Sequence, residues 1–264
     1  MKLIIADLDG TLVNKTYVTR KTLKTLKTLK EKGYLFTIAT GRHMVATKEL
    51  VKTLNVDLPV ICGNGAIIYD FKKDEIIKKE LIDSNTVEYI VDLCIEKQID
   101  FLMYTTKDVT GTKQAKDKIH AEIGYFDTHV VKKEDLKKYI RIGVFKILAI
   151  DKNPKKLIEL KEALSQQKEI AMVQSKPIFL DINFKHTNKG KSIQYLSKYL
   201  NVDIKDVFAI GDQENDITMI KSAHLGVAMG NAHEKLKEVA DQITLSYEED
   251  GFTYAINRWI LNEK

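Results

Sequence analysis

Lys2 to Ala6 are mostly apolar and run without a break into Asp7-Leu8-Asp9-Gly10-Thr11. That junction restricts the fold more than any other stretch. An apolar run this short reads as a strand buried on both faces of a parallel sheet. The acidic residues then fall at its carboxyl end, the edge where open α/β sheets bind ligands. Strand alternation puts Asp7 and Asp9 on one side and turns Leu8 toward the packing, while Gly10 frees the backbone to bend. Two like charges so close need a counter-charge. Magnesium, a hard cation that prefers oxygen ligands, supplies it and also binds a phosphate oxygen. A plain Asp-Gly turn, with the first Asp as a helix cap, is the competing local reading.

The chain has 264 residues, of which 44% are hydrophobic, enough for one large domain or two modest ones. Its 42 basic residues exceed the 37 acidic ones to give a net charge of +5. Arg20, Arg42, Arg141 and Arg258 are the only arginines among them. Nucleic-acid readers lean on Arg for bidentate contacts, so the excess of Lys reads as solvated surface and nucleic acid is not an expected partner. Cys62 and Cys94 suit neither a disulfide framework nor a zinc site, which points to a reducing compartment. No apolar stretch approaches the roughly 20 residues that cross a bilayer. Met1-Lys2-Leu3 leads into a strand and not into a signal peptide. A cytoplasmic protein without membrane contact is expected, and nothing in the sequence marks a protein partner.

Leu23, Leu26 and Leu29 lie among lysines between Thr19 and Lys32, ahead of Gly33, as on an amphipathic crossover helix. A second strand at Tyr34 to Ala39 ends in Thr40-Gly41-Arg42, and a helix through Val51 leads to a third strand at Pro59 to Cys62. The rhythm then changes. A helix near Asn85 to Lys97, strands at 101–104, 145–150, 170–174 and 179–183, and a helix near Pro154 to Gln167 read as a separate α+β unit. From Lys189 the alternation resumes with a helix to Leu200, a strand at Val207 to Ile210, Gly211-Asp212, a helix from Asn215 and a strand at Leu225 to Met229. The expectation is an α/β chain with a doubly wound, Rossmann-like parallel-sheet core over 1–82 and 187–264. An α+β cap over 83–186 interrupts it.

Asp7-Leu8-Asp9-Gly10-Thr11, Thr40-Gly41, Lys189-Gly190 and Gly211-Asp212-Gln213-Glu214-Asn215-Asp216, in that order, resemble the four motifs of the haloacid dehalogenase superfamily of phosphatases. The insert lies between the second and third motifs. With Asn64-Gly65-Ala66, the run Gly226 to Ala232 and Asp250-Gly251, it makes the chain similar to the Cof-type subgroup of sugar-phosphate and small-molecule phosphatases. The resemblance implies a Mg2+-dependent phosphatase whose substrate is a small phosphorylated metabolite. It makes Asp7 the nucleophile and Asp9 the acid that protonates the leaving oxygen and then activates water. Asp7, Asp9 (through its carbonyl) and Asp212 would hold the metal. Leu8, Thr40, Gly41, Lys189 and Asn215 would bind phosphate, with Lys189 as a catalytic cation. Asp216 would orient Lys189 or a metal-bound water. Arg42, His43, Asn64 and His186 are candidate substrate contacts. His120, His129, His224 and His233 show no ligand spacing. A phosphomutase shares all of this chemistry, and a phospho-accepting receiver also uses Asp, Thr and Lys. The receiver, however, needs neither the large insert nor an acid two residues after its acceptor. No residue of the insert declares itself as a reader of sugar, nucleotide or cofactor.

Overall fold

The computed structural model describes residues 2–14, 17–123 and 127–261. Contacts divide the chain into two units, one of Met1–Arg42, Thr47–Lys78 and Asn188–Lys264, the other of His43–Ala46 and Lys79–Thr187.

In the first unit β1 (Leu3–Ala6) is wholly buried, because it has a strand on each side. α1 (Arg20–Glu31) is capped by Thr19, whose hydroxyl accepts from the Thr22 amide. Leu26 and Leu29 bury against the core, whereas Leu23 stays 36% exposed. A spacing of three falls behind the 3.6-residue turn, so the three leucines do not share one line. There follow β2 (Leu35–Ile38), α2 (Met44–Thr53), β3 (Val60–Cys62), β4 (Ile67–Asp70) and β5 (Glu75–Lys79). β3 was expected in the main sheet. Instead it pairs antiparallel with β4 in a small three-stranded sheet and meets the β2 segment through a single bridge, Ala39 to Ile61. The turn Gly63–Gly65, with Asn64 at φ 59°, folds the chain straight back and makes β3 one arm of a hairpin.

The second unit holds α3 (Ser84–Glu96), β6 (Asp100–Thr105), β7 (Val109–Gly111), α4 (Lys113–Ile123), β8 (His129–Val130), β9 (Val144–Ile150), α5 (Pro154–Ala163), β10 (Ile170–Lys176) and β11 (Phe179–Phe184). Its sheet runs β10-β11-β9-β6-β7-β8, antiparallel except for β7 beside β8. Val87, Ile90, Val91 and Cys94 of α3 and Leu157 and Leu160 of α5 pack with one face of that sheet. The unit begins at Lys79 where the sequence suggested 83, since the Ile82 amide bonds the Val144 carbonyl and Ile82 is part of this core. It ends at Thr187, and His43–Ala46 group with it. α5 stops at Ala163, four residues short of the expected end. α4, β7 and β8 were not anticipated, because Val109 to Val130 carries too few apolar residues to show a clear period.

The chain returns with α6 (Lys189–Tyr199), β12 (Val207–Gly211), α7 (Ile217–Ser222), β13 (Leu225–Ala228), α8 (Glu234–Lys237), β14 (Gln242–Ile243) and α9 (Gly251–Ile256). The main sheet is all parallel in the order β14-β13-β12-β1-β2. From β1 the chain moves outward to β2, and from β12 it moves the other way to β13 and β14. The reversal therefore falls between β1 and β12, where a doubly wound sheet leaves a crevice at its carboxyl edge. Asp7 and Asp212 follow those two strands directly. Among the described residues no helix is long and apolar enough to cross a membrane.

Candidate active site

Asp7 leaves β1 with its amide bonded to the Ile210 carbonyl, so β12 fixes the nucleophile candidate from behind. The loop after it is tight: the Leu8 carbonyl accepts from the Thr11, Leu12 and Val13 amides, and the Leu8 side chain is fully buried. Gly10 sits at φ +87°, and a Cβ there would lie 2.3 Å from Asp212 Oδ2. Gly10→Ala is expected to destabilise the fold by about 1–3 kcal/mol, the scale of a strained backbone position. The variant should also displace the Asp212 carboxylate. Thermal unfolding checks this; a variant unchanged in melting temperature would contradict the packing.

Lys189, in the first turn of α6, has no exposed surface. Its Nζ donates to Asp7 Oδ1 at 2.5 Å and to Asp216 Oδ1 at 2.5 Å. Asp216 Oδ2 accepts from the Asp212 and Gln213 amides, 3.0 Å each. Both oxygens of Asp216 are thus engaged, one with Lys189 and the other with the loop after β12. Thr11 and Gln213 donate to Asp212 at 3.4 and 3.0 Å, and the His233 amide bonds the Asp212 carbonyl.

Asp7, Asp212 and Asp216 each offer an oxygen within 4.8 Å of the others, all three buried. Burial raises the Asp7 carboxyl well above the carboxylate range, with Asp216 and Asp212 adding to the rise and Lys189 opposing it. Burial also pushes Asp212 up to about 6, with Asp216 contributing. Burial alone would lower the Lys189 ammonium, but Asp216 and Asp7 hold it above its ordinary range. Three carboxylates face one ammonium, which leaves two excess negative charges when all are ionised.

A second group joins the same unit. Thr40 ends the β2 segment, its hydroxyl accepting from the Arg42 amide at 3.1 Å and its carbonyl from the Asn64 amide. Asn64 Oδ1 accepts from Asn215 Nδ2 at 2.9 Å and lies so close over Gly41 that a Cβ there would come within 2.8 Å. Thr40, Gly41, Asn64 and Asn215 are therefore gathered, though Asn64 is engaged with Asn215. Arg42 holds Asp9 in a two-pronged pair, Nε to Oδ2 at 2.8 Å and Nη2 to Oδ1 at 2.5 Å. Its partner here is the acid candidate and not an outside molecule.

His43 departs from its expected place as a substrate contact. It is fully buried in the second unit, stacked on Phe145 at 5.5 Å. Its Nε2 lies 2.8 Å from the Thr105 carbonyl and its Nδ1 accepts from the Val45 amide. Burial lowers its pKa to about 4, so the ring is neutral and structural at physiological pH. His186, also in that unit, is exposed and lies edge-on to Phe184.

Asn231 is a support that motif reading did not single out. Its Nδ2 donates to the Gly10 carbonyl and its Oδ1 accepts from the Tyr247 amide, which pins the loop after β1. The available signal was its position in Gly230-Asn231-Ala232, a small polar run just past β13.

A model of haloacid dehalogenase-like hydrolases matches residues 4–256. The chain is 30% identical over 262 residues to a 5-amino-6-(5-phospho-D-ribitylamino)uracil phosphatase of Bacillus subtilis (strain 168), covering 99% of this chain and 96% of that one. A haloacid dehalogenase-like hydrolase from Bacteroides thetaiotaomicron has a crystal structure similar to this one with a TM-score of 0.88 and 28% identity, over 97% and 98% of the two chains. The subclass IIB sugar phosphatase BT4131 is similar with a TM-score of 0.82 and 25% identity, over 98% and 99%.

Proposed function

Because the chain belongs to the haloacid dehalogenase-like hydrolases, as a Cof-type phosphoric monoester hydrolase, we propose that it cleaves a small sugar or sugar-alcohol phosphate through a phosphoryl group carried on Asp7, with magnesium as cofactor. The observation that carries this reading is the buried charge imbalance of Asp7, Asp212 and Asp216 against Lys189. Buried like charges do not persist uncompensated, and a divalent cation removes two of them at once. The donors are all carboxylate oxygens, which suits a hard ion. Asp216 has both oxygens committed to Lys189 and two amides, so Asp7 and Asp212, with the Asp9 carbonyl, would hold the metal. When bound, the ion supplies the positive charge that lets a phosphate dianion approach Asp7.

In the first step an Asp7 oxygen bonds to phosphorus as the bond from phosphorus to the leaving oxygen breaks, and Asp9 gives that oxygen its proton. In the second, Asp9 takes a proton from water as the water oxygen bonds to phosphorus, which frees inorganic phosphate and restores the Asp7 carboxylate. Both steps depend on alignment and charge placement more than on covalent assistance. Lys189 keeps the attacking oxygen oriented and stabilises the added charge. Thr40, Gly41 and Asn215 supply hydrogen bonds to the transferring group. Asp9 has both oxygens in the Arg42 fork, so one of them must come free for it to reach the leaving oxygen. The phosphoribitylamino-uracil phosphatase and the sugar phosphatase similar to this chain both take their names from a phosphate on a polyhydroxylated chain, which supports that substrate class here.

Acid quenching during turnover of a sugar phosphate with magnesium is expected to leave a phosphoryl mass increment on the peptide carrying Asp7. Chelation should abolish both the increment and phosphate release, and added magnesium should restore both. Full turnover in excess chelator would overturn the metal assignment, and an increment on any other residue would overturn the nucleophile.

A further inference from the structure

Asp9 lies two residues past Asp7, yet half of its side chain is exposed where Asp7 is buried. Among the described residues Arg42 is its one side-chain partner, through the two-pronged pair, and the Arg42 side chain is itself only 23% exposed. The loop that carries Asp9 owes its shape to other bonds. The Leu8 carbonyl gathers three amides, the Gly10 amide bonds the Val13 carbonyl, and Asn231 holds the Gly10 carbonyl. What the fork adds is a fixed Asp9 side chain on a backbone already fixed.

Arg42 is tied down in turn. Its amide donates to the Thr40 hydroxyl at 3.1 Å and its carbonyl accepts from the Gly63 amide at 2.9 Å. The arginine thus joins the loop after β1 to the loop after the neighbouring strand β2, and every residue in this arrangement belongs to the first unit. A surface ion pair between flexible side chains is worth little to stability. A planar guanidinium that meets both oxygens does something else, since it holds the carboxylate in one orientation. An acid that gives up its proton in the transition state has to stand within hydrogen-bond reach of the oxygen it serves. A half-exposed Asp without a partner spreads over several rotamers instead.

We propose that Arg42 is the positioning residue of the acid: it sets Asp9 against the Thr40–Gly41 loop and, as the fork opens from two prongs to one, keeps one Asp9 oxygen while the other serves the leaving group and then water. This rests on the phosphatase reading above, and it has Arg42 act through Asp9 and not as a contact to substrate. Loss of Arg42 then hurts most where the leaving oxygen depends on a proton.

The test measures first-turnover rates with enzyme in excess and magnesium present, on phenyl phosphate and p-nitrophenyl phosphate. The two esters are similar in shape, but nitrophenolate departs as a stable anion whereas phenolate gains more from protonation as it leaves. Asp9→Asn is the reference and should lose more on phenyl phosphate than on p-nitrophenyl phosphate. Arg42→Met should follow it, with a fall about tenfold larger on phenyl phosphate. Added to Asp9→Asn, Arg42→Met should cost less than about threefold more on phenyl phosphate, because nothing is left for it to position. Arg42→Lys, which keeps one prong, should recover part of the loss. The readout is a ratio between two esters on one enzyme sample, so a partly unfolded preparation does not imitate it. Equal falls of Arg42→Met on both esters, full additivity with Asp9→Asn, or wild-type rates in Arg42→Met would overturn the proposal. An Asp9→Asn protein that loses equally on both esters would remove Asp9 as the acid, and the proposal with it. Failure of the wild type to cleave either ester would refute the phosphatase reading itself.

Discussion

Asp7→Asn is expected to lower turnover by about 10^4-fold or more, the scale seen when a nucleophile is removed from an otherwise intact site. Asn keeps the shape of the side chain and an oxygen for Lys189, but it offers phosphorus no anionic oxygen. Folding should not suffer. Asp7 is an acid whose folded-state pKa lies above its unfolded value, so the folded protein binds more protons across that interval and stability falls as pH rises. Asp212, raised to about 6, adds to the same trend. In chelator, the wild type should therefore melt at a higher temperature near pH 5 than near pH 8. Asp7→Asn should flatten that slope and match or exceed the wild type at pH 8. Magnesium should stabilise the wild type most at pH 8, where the carboxylates it neutralises are ionised. Thermal melts across pH, alongside initial rates on a sugar phosphate, check this. A well-folded Asp7→Asn protein with steady-state activity near that of the wild type would end the assignment.

The legible parts of this chain are those where local chemistry and tertiary placement coincide. β1 and β12 are apolar runs ending in an acid, and burial, register and the approach of Asp7 to Asp212 all follow from that pattern. Asp216 could be read as a support because a helix-start acid has donors to gather, and it gathers Lys189 and two amides. His43 was misleading because its neighbours in sequence, Thr40 to Arg42, belong with the first unit. Its own ring is stacked on Phe145, 102 positions along, a contact that no local pattern reveals. The Arg42–Asp9 fork was hidden for the same reason: each residue has an obvious chemical use, and only coordinates show that they satisfy each other. β3 was misplaced on turn chemistry, since two glycines around a left-handed Asn fold the chain back into a hairpin with β4. Lys146 is the one polar residue of β9, and Asp181 and Asn183 are the two of β11. Those exceptions were visible in the sequence, but the pairing of Lys146 with Asn183 depends on the cross-strand register that makes them neighbours.

Lys189→Met is expected to damage stability and catalysis together, the reverse of Asp7→Asn. It removes the cation from a cluster of three buried carboxylates and leaves Asp7 and Asp216 without their shared donor. Breaking a buried pair from one side costs about 3–5 kcal/mol, because the remaining charge stays out of water. Turnover should fall by about 10^2- to 10^3-fold or more, the loss typical of removing a fixed donor from developing transition-state charge. The two effects can be separated. Adding Asp216→Asn retains an oxygen for the loop amides but removes one stranded charge, so the double variant should recover part of the melting temperature while turnover stays low. Raising magnesium should shift the melting temperature of Lys189→Met upward by more than that of the wild type, since the ion then faces a full excess of carboxylate. A Lys189→Met protein with wild-type stability, or a double variant that regains turnover along with stability, would show that this lysine only fills space between Asp7 and Asp216.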